Sequence, residues 1–268
     1  MESRWNDADA NAAAHGSADP DLGLRVYTSR LLGSEPSLIL HGGGNTSVKS
    51  TFTDVFGDTH VVLWVKGSGS DLAQVGARDF AAVRLDDARR LIELETLDGE
   101  RMAAALAAMC VAPGPRASIE TVLHAILPAR FVEHTHADAI LALGNTEHGP
   151  ARIGEVFGNL APLVPFHASG FELAKACHAV YRTQATARTI GLILHHHGVF
   201  AFGENARESY ENMLRLVTRA EAALQERGAW TLPCASTADT LDRMRVAALR
   251  DEISRRAGFP LLLEQQRE

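Results

Sequence analysis

Two histidines separated by one residue, His134 and His136, follow a short apolar run that contains a single carboxylate, Glu133. In an extended strand, residues i and i+2 project to the same face, so the two imidazoles can serve one point. Further along, the run Ile193-Leu194-His195-His196-His197-Gly198 offers a third imidazole from a neighbouring strand. Three imidazoles around an open fourth position make the ligand set of a catalytic zinc ion. Glu120, upstream in Ser118-Ile119-Glu120, would supply a carboxylate able to move a proton beside such a metal. On spacing alone, a His-x-His pair describes two solvent-facing strand histidines just as well. The second histidine run and the carboxylate shift the reading to a metal.

Two glycine loops accompany these residues. His41-Gly42-Gly43-Gly44-Asn45-Thr46-Ser47 follows an expected strand over residues 36–41, and Gly67-Ser68-Gly69-Ser70-Asp71 follows a strand over 60–66. Backbone amides in such loops can approach an anion closely. Neither loop is a nucleotide fingerprint. The first lacks the GxGxxG order and is followed by Val48, Thr51, Phe52 and Thr53, which favour strand over helix, and no Gly-Lys-Ser/Thr precedes a helix. Lys49 and Lys66 stand near the loops and read as exposed strand-end lysines that favour anionic groups.

The chain has 268 residues, 46% hydrophobic and 22% charged, with a formal net charge of −7. This composition is that of an ordinary globular protein, and its acidity argues against nucleic acid as the main partner. No apolar run approaches the roughly 18 residues of a membrane span, so no membrane role is expected. The N-terminal residues lack the basic-then-apolar pattern of a signal peptide, which makes the cytoplasm the expected compartment. Cys110, Cys177 and Cys234 are far apart and odd in number, forming neither a disulfide framework nor a CxxC metal site.

The elements that must carry these groups read as follows. Residues 1–19 read as a flexible segment, and 20–268 as one domain. Asp19-Pro20 starts a helix ending near Gly33. Residues 85–110 have a helical pattern broken near Asp98-Gly99, and Ser118 would cap a helix over 119–127 with Glu120 in its first turn. His124 falls on the same helix face one turn later. Residues 130–133 form the strand that delivers His134 and His136. Residues 169–183 are helical, 189–194 a buried strand, and 198–203 its hairpin partner. Helices over 205–227 and 237–256 close the chain. The fold class expected is α/β: a single domain whose central, mostly antiparallel β-sheet is flanked by helices in three layers.

Taken in order, Gly44-Asn45-Thr46-Ser47-Val48, Gly67-Ser68-Gly69, Ser118-Ile119-Glu120 with Leu123-His124, His134-Thr135-His136 and His197-Gly198 resemble the class II aldolase/adducin family over roughly residues 22–227. Residues 41–49 are similar in wording to the aldolase part of rhamnulose-1-phosphate aldolase/dehydrogenase-type proteins, whose dehydrogenase part has no counterpart in this sequence. The resemblance implies a Zn2+ or other divalent metal on His134, His136 and His197, with Glu120 as acid/base. It implies a phosphate site at Gly44, Asn45, Ser68, Gly69 and Ser118. Where the family carries a second serine before the glutamate, this chain has Ile119, which removes one phosphate donor. The implied activity is retro-aldol cleavage of a ketose 1-phosphate to dihydroxyacetone phosphate and an aldehyde through an enediolate. The same constellation serves sugar-phosphate epimerases, dehydratases and decarboxylases, while adducin-like modules keep the fold without catalysis. A small-molecule sugar phosphate as partner and a homotetramer are further implications.

Overall fold

The computed structural model describes residues 1–231 and 242–263. It divides into two units, Met1–Trp230 and Thr231–Glu268. The first begins with α1 (Asp7–His15) and α2 (Pro20–Gly33), then β1 (Asn45–Thr53), β2 (Thr59–Lys66) and β3 (Phe80–Arg84). Next come α3 (Leu85–Arg90), α4 (Gly99–Ala108), α5 (Thr121–Ile126), β4 (Phe131–Thr135), α6 (Asp138–Gly144) and α7 (Gly149–Phe157). The unit ends with β5 (Leu163–Val164), α8 (Phe171–Gln184), β6 (Gly191–Leu194), β7 (Gly198–Gly203) and α9 (Ala206–Glu226).

The strands form one sheet in the order β3-β2-β1-β4-β7-β6-β5. Every pairing is antiparallel except β5 with β6. Strand alternation divides the apolar side chains between two cores. Leu192, Leu194, Phe200 and Phe202 pack on one face against residues of α3, α4, α5 and α8. Ile193, Val199 and Ala201 pack on the other, against α6, α7 and α9. The result is the expected three-layer α/β domain.

Several local expectations are corrected. Residues 1–19 contain α1, whose cap Asn6 accepts hydrogen bonds from the amides of Ala8 and Asp9. Met1 anchors that end, its ammonium 2.6 Å from the Glu221 carboxylate. Residues 36–41 form turns, not a strand. Their carbonyls are taken by the chain leaving β4, with His136 N donating to Leu38 O (3.1 Å) and Asp138 N to Ser37 O (2.9 Å). The histidine triplet is the turn of the β6–β7 hairpin, with His196 in the left-handed region (φ 59°), so strand alternation does not apply to it.

In the second unit, α10 (Arg243–Ala257) starts at Asp242, whose side chain accepts from Met244 N, and stops at Gly258 in the left-handed conformation. Cys234 and the first residues of the expected helix 237–256 lie outside the described residues. Among the described residues, no helix is long and apolar enough to cross a membrane.

Candidate active site

His134 is held by its own strand and the next. Its ring is fully buried and stacks on Phe200 of β7, with centroids 4.5 Å apart. Nδ1 lies 3.1 Å from Val199 O, so Nδ1–H donates to that carbonyl and Nε2 is left with a lone pair. His136 stands just beyond β4, its Nε2 3.1 Å from His134 Nε2. His197 arrives from the hairpin turn because Gly198 (φ 154°) lets β7 run against the end of β4. A Cβ at that position would sit 2.2 Å from Thr135 O. The ligand atoms of His134, His136 and His197 all lie within 4.8 Å of one another. Burial, the largest cause in each case, pushes all three pKa values down, that of His134 to about 3 and that of His197 to about 4. The imidazoles are therefore neutral, the protonation state that ligates a divalent metal.

Glu120 faces this cluster, with Oε1 3.5 Å from His197 Nε2 and 3.6 Å from His134 Nε2. It stands at the N-cap of α5, not inside the first turn, because Ser118-Ile119-Glu120 forms a turn before the helix begins at Thr121. Ser118 Oγ accepts from Glu120 N at 3.2 Å. Burial raises the Glu120 pKa, and His197, His136, a hydrogen bond from the Asn45 side chain and Lys66 oppose that rise. The net direction is upward, so the carboxyl gives up its proton less readily than a surface glutamate.

A cavity of about 210 Å3 opens over these groups. Gly44, Asn45, Ser68, Gly69, Ser118, Glu120, His136 and His197 all line it, and His134 lies beneath. The residues implied as metal ligands, acid/base and phosphate site therefore lie together at one place. Gly44 (φ 64°) is required there, since a Cβ would meet His134 O at 2.8 Å. The Ser68 amide already donates to Arg116 O (3.0 Å), so Ser68 offers the cavity its hydroxyl. A groove of about 930 Å3 lies elsewhere, between α1–α2 and the β1–β2 hairpin. It is the larger space, but its Asp21 and Arg130 pair with each other, and among the described residues no cluster of metal-ligating groups faces it.

The expectation for the two lysines is corrected, since both are buried. Lys66 Nζ bridges the glycine loops, donating to Gly42 O (3.2 Å) and Ser70 O (2.6 Å), and its side chain lines the cavity. Lys49 Nζ donates to His124 O (3.2 Å) and Ala129 O (2.5 Å). Ser169, on the loop before α8, also lines the cavity and belongs to none of the sequence motifs. His195 and His196 stack on each other in the hairpin turn, outside the ligand cluster.

The model of the class II aldolase and adducin N-terminal domain matches residues 24–224. The chain belongs to this family. A Bacillus subtilis (strain 168) relative described as the uncharacterized oxidoreductase YuxG is 37% identical over 203 residues, 75% of this chain and 29% of that protein. The chain therefore spans less than a third of that relative's length. The N-terminal class II aldolase domain of a conserved protein from Thermoplasma acidophilum superposes with a TM-score of 0.74 at 38% identity, covering 84% of this chain and 99% of that one. The L-fuculose-1-phosphate aldolase from Thermus thermophilus gives a TM-score of 0.51 at 21% identity, covering 81% and 96%, a likeness of fold.

Proposed function

We propose that this class II aldolase-family protein is a metal-dependent aldehyde-lyase that cleaves a ketose 1-phosphate to dihydroxyacetone phosphate and an aldehyde. The observation that carries this reading is the Glu120 carboxylate set 3.5–3.6 Å from the Nε2 atoms of two members of a neutral triple-imidazole cluster. The donor set fits a zinc-type divalent cation, with His134 Nδ1 committed to Val199 O and its Nε2 free to bind. When bound, such a cation supplies Lewis acidity toward the substrate carbonyl.

The chain's own residues do the rest. Glu120 returns a proton to the carbon that becomes the free nucleophile after cleavage, or removes it in the reverse direction. Asn45 lines the cavity beside that carboxyl. The Ser68 and Ser118 hydroxyls, with the amides of Gly44 and Gly69, form the phosphate cradle, and the buried Lys66 ammonium beneath adds positive charge. Ile119 on the cavity wall leaves this cradle one hydroxyl short, so part of the substrate's binding must come from its sugar end.

The narrower kinship with the aldolase part of rhamnulose-1-phosphate aldolase/dehydrogenase proteins belongs to this reading, as does assembly into a homotetramer. Exposed Leu40 and Phe166, near in sequence to the cavity-lining Gly42 and Ser169, supply apolar surface there for a neighbouring subunit. The test is a screen of ketose 1-phosphates for aldehyde release, with solvent-hydrogen exchange into dihydroxyacetone phosphate followed by NMR. Exchange and cleavage together support a lyase. Exchange without cleavage of any ketose phosphate points to an epimerase of the same family, and neither to a binding module.

A further inference from the structure

Strand β1 presents Asn45, Ser47 and Lys49 to one face, and all three side chains are buried polar groups. Buried polar groups persist only where hydrogen-bonded, and these three share an unusual set of partners. Asn45 lines the cavity beside Glu120, at the start of α5. Ser47 Oγ lies 2.8 Å from His124 Nδ1 one turn along. Lys49 Nζ donates to His124 O and to Ala129 O beyond the helix end. The spacing is a match of periods. Two strand residues advance about 6.7 Å, and the four residues from Glu120 to His124 advance about 6 Å. Strand and helix can therefore keep step side by side.

The helix needs such a grip. α5 has only 6 residues, too short to hold its own position. Apolar packing of Val122 and Leu123 keeps it on the sheet but does not fix its rotation or its slide along the strand. The hydrogen bonds do, being directional. The His124 ring also meets Phe200 edge-on at 5.2 Å, the same ring that stacks on His134, so one aromatic braces helix and metal ligand together.

We propose that Ser47, Lys49 and His124 are positioning residues that set Glu120 against the histidine cluster through this strand-to-helix ladder. The proposal rests on the reading of Glu120 as the proton-transfer group. A displacement of about 1 Å at such a group costs on the order of 100-fold in rate, so small slips of α5 are enough to matter.

The test uses the full chain carrying Ser47→Ala or Lys49→Met, each alone and combined with Glu120→Gln. Amide hydrogen exchange is read on the metal-free protein, and turnover and metal content on the loaded one. In both single variants, exchange across Thr121–Ile126 should rise about 10-fold or more while β7 stays as protected as in the wild type. The kcat should fall about 10-fold or more, with KM and metal stoichiometry within about 2-fold. In the Glu120→Gln background, Ser47→Ala should have almost no further effect on kcat, because the group it positions is gone. Unchanged exchange in α5 would overturn the proposal. So would exchange rising equally in β7, a kcat loss that follows metal loss, or a Ser47→Ala effect undiminished beside Glu120→Gln. Should Lys49→Met not fold, the milder Ser47→Ala decides alone. If the wild type turns over no ketose phosphate, the functional reading fails by that result, and the exchange measurement decides the positioning claim by itself.

Discussion

Strand β4 separates two buried polar clusters, and the contrast between its faces shows what makes one of them a site. On one face, His134 gives Nδ1 to Val199 O and turns Nε2 toward Glu120 and the cavity. On the other, the adjacent Glu133 forms a salt bridge of 2.6 Å with Arg25 of α2, both fully buried, and Ser209 of α9 donates to the same oxygen at 3.0 Å. Burial pushes Glu133 up and Arg25 down, and each group opposes the other's shift. Arg25 keeps its charge, and the pair stays ionic. The Arg25–Glu133 pair is enclosed beneath α2 and α9, and Arg25 Nε and Nη1 and Glu133 Oε2 find no hydrogen-bond partner there among the described residues. The histidine cluster keeps its ligating atoms for something that is not protein. Burial alone does not distinguish them; the histidine cluster borders the cavity, and the ion pair is enclosed by helices.

The largest effect should come from the front face. Glu120→Gln, which keeps volume and leaves the imidazoles in place, should lower kcat by about two to four orders of magnitude. Steady-state kinetics with metal analysis on the same sample checks this. Turnover per bound metal equal to the wild type would make Glu120 a structural group and erase the contrast. The back face should answer in stability instead. Glu133→Ala strands a buried guanidinium and should cost about 3–5 kcal/mol in denaturant unfolding, whereas Arg25→Met combined with Glu133→Leu should recover most of that loss. The double variant should still bind metal. Loss of metal from a folded double variant would show that the two faces are coupled.

How legible this was in the sequence depended on how local each signal was. The alternation that placed His134 and His136 together is written in three residues, and the turn-glycine after His197 sits beside its histidine. Gly44, Asn45, Ser68, Gly69, Ser118, Glu120, His136 and His197 accordingly line one cavity, with His134 beneath it. Glu133 lay in full view between them and carried no signal, because its partner Arg25 is 108 positions away and looks like any helix arginine. The burial of Lys49 and Lys66 was equally hidden, since the carbonyls that accept from them belong to Gly42, Ser70, His124 and Ala129, which only the fold assembles. Residues 36–41 had strand composition, but their hydrogen-bonding groups are taken by the loop after β4, and turns resulted. The start of α5 moved to Thr121 because the Ser118 hydroxyl holds the Glu120 amide in a turn.

A third buried charge gives a smaller, pH-dependent effect. Burial lowers the Lys49 pKa to about 7. Below that pH the folded and unfolded chains both carry the proton, and the cost of the buried charge is fully present. Above it the folded chain sheds the proton while the unfolded chain keeps it until about pH 10.4. Stability should therefore rise with pH from about 7, by no more than about 1.4 kcal/mol per pH unit. Urea unfolding at stepped pH checks the slope, and Lys49→Met should flatten it. Smallest of all, Asn45→Ala should raise KM for a phosphorylated substrate about 10-fold while changing an unphosphorylated analogue less. Equal changes in both would assign Asn45 to holding Glu120 alone.

We propose that His134, His136 and His197 together hold one divalent metal. Titration of the metal-free protein with Zn2+ in a calorimeter, repeated on His136→Ala and on the Arg25→Met, Glu133→Leu variant, tests it most directly. The wild type and the back-face variant should each bind one ion per chain, and His136→Ala should weaken affinity at least about 10-fold. Stoichiometric binding of undiminished affinity in His136→Ala, or full activity in protein stripped of metal, would contradict it.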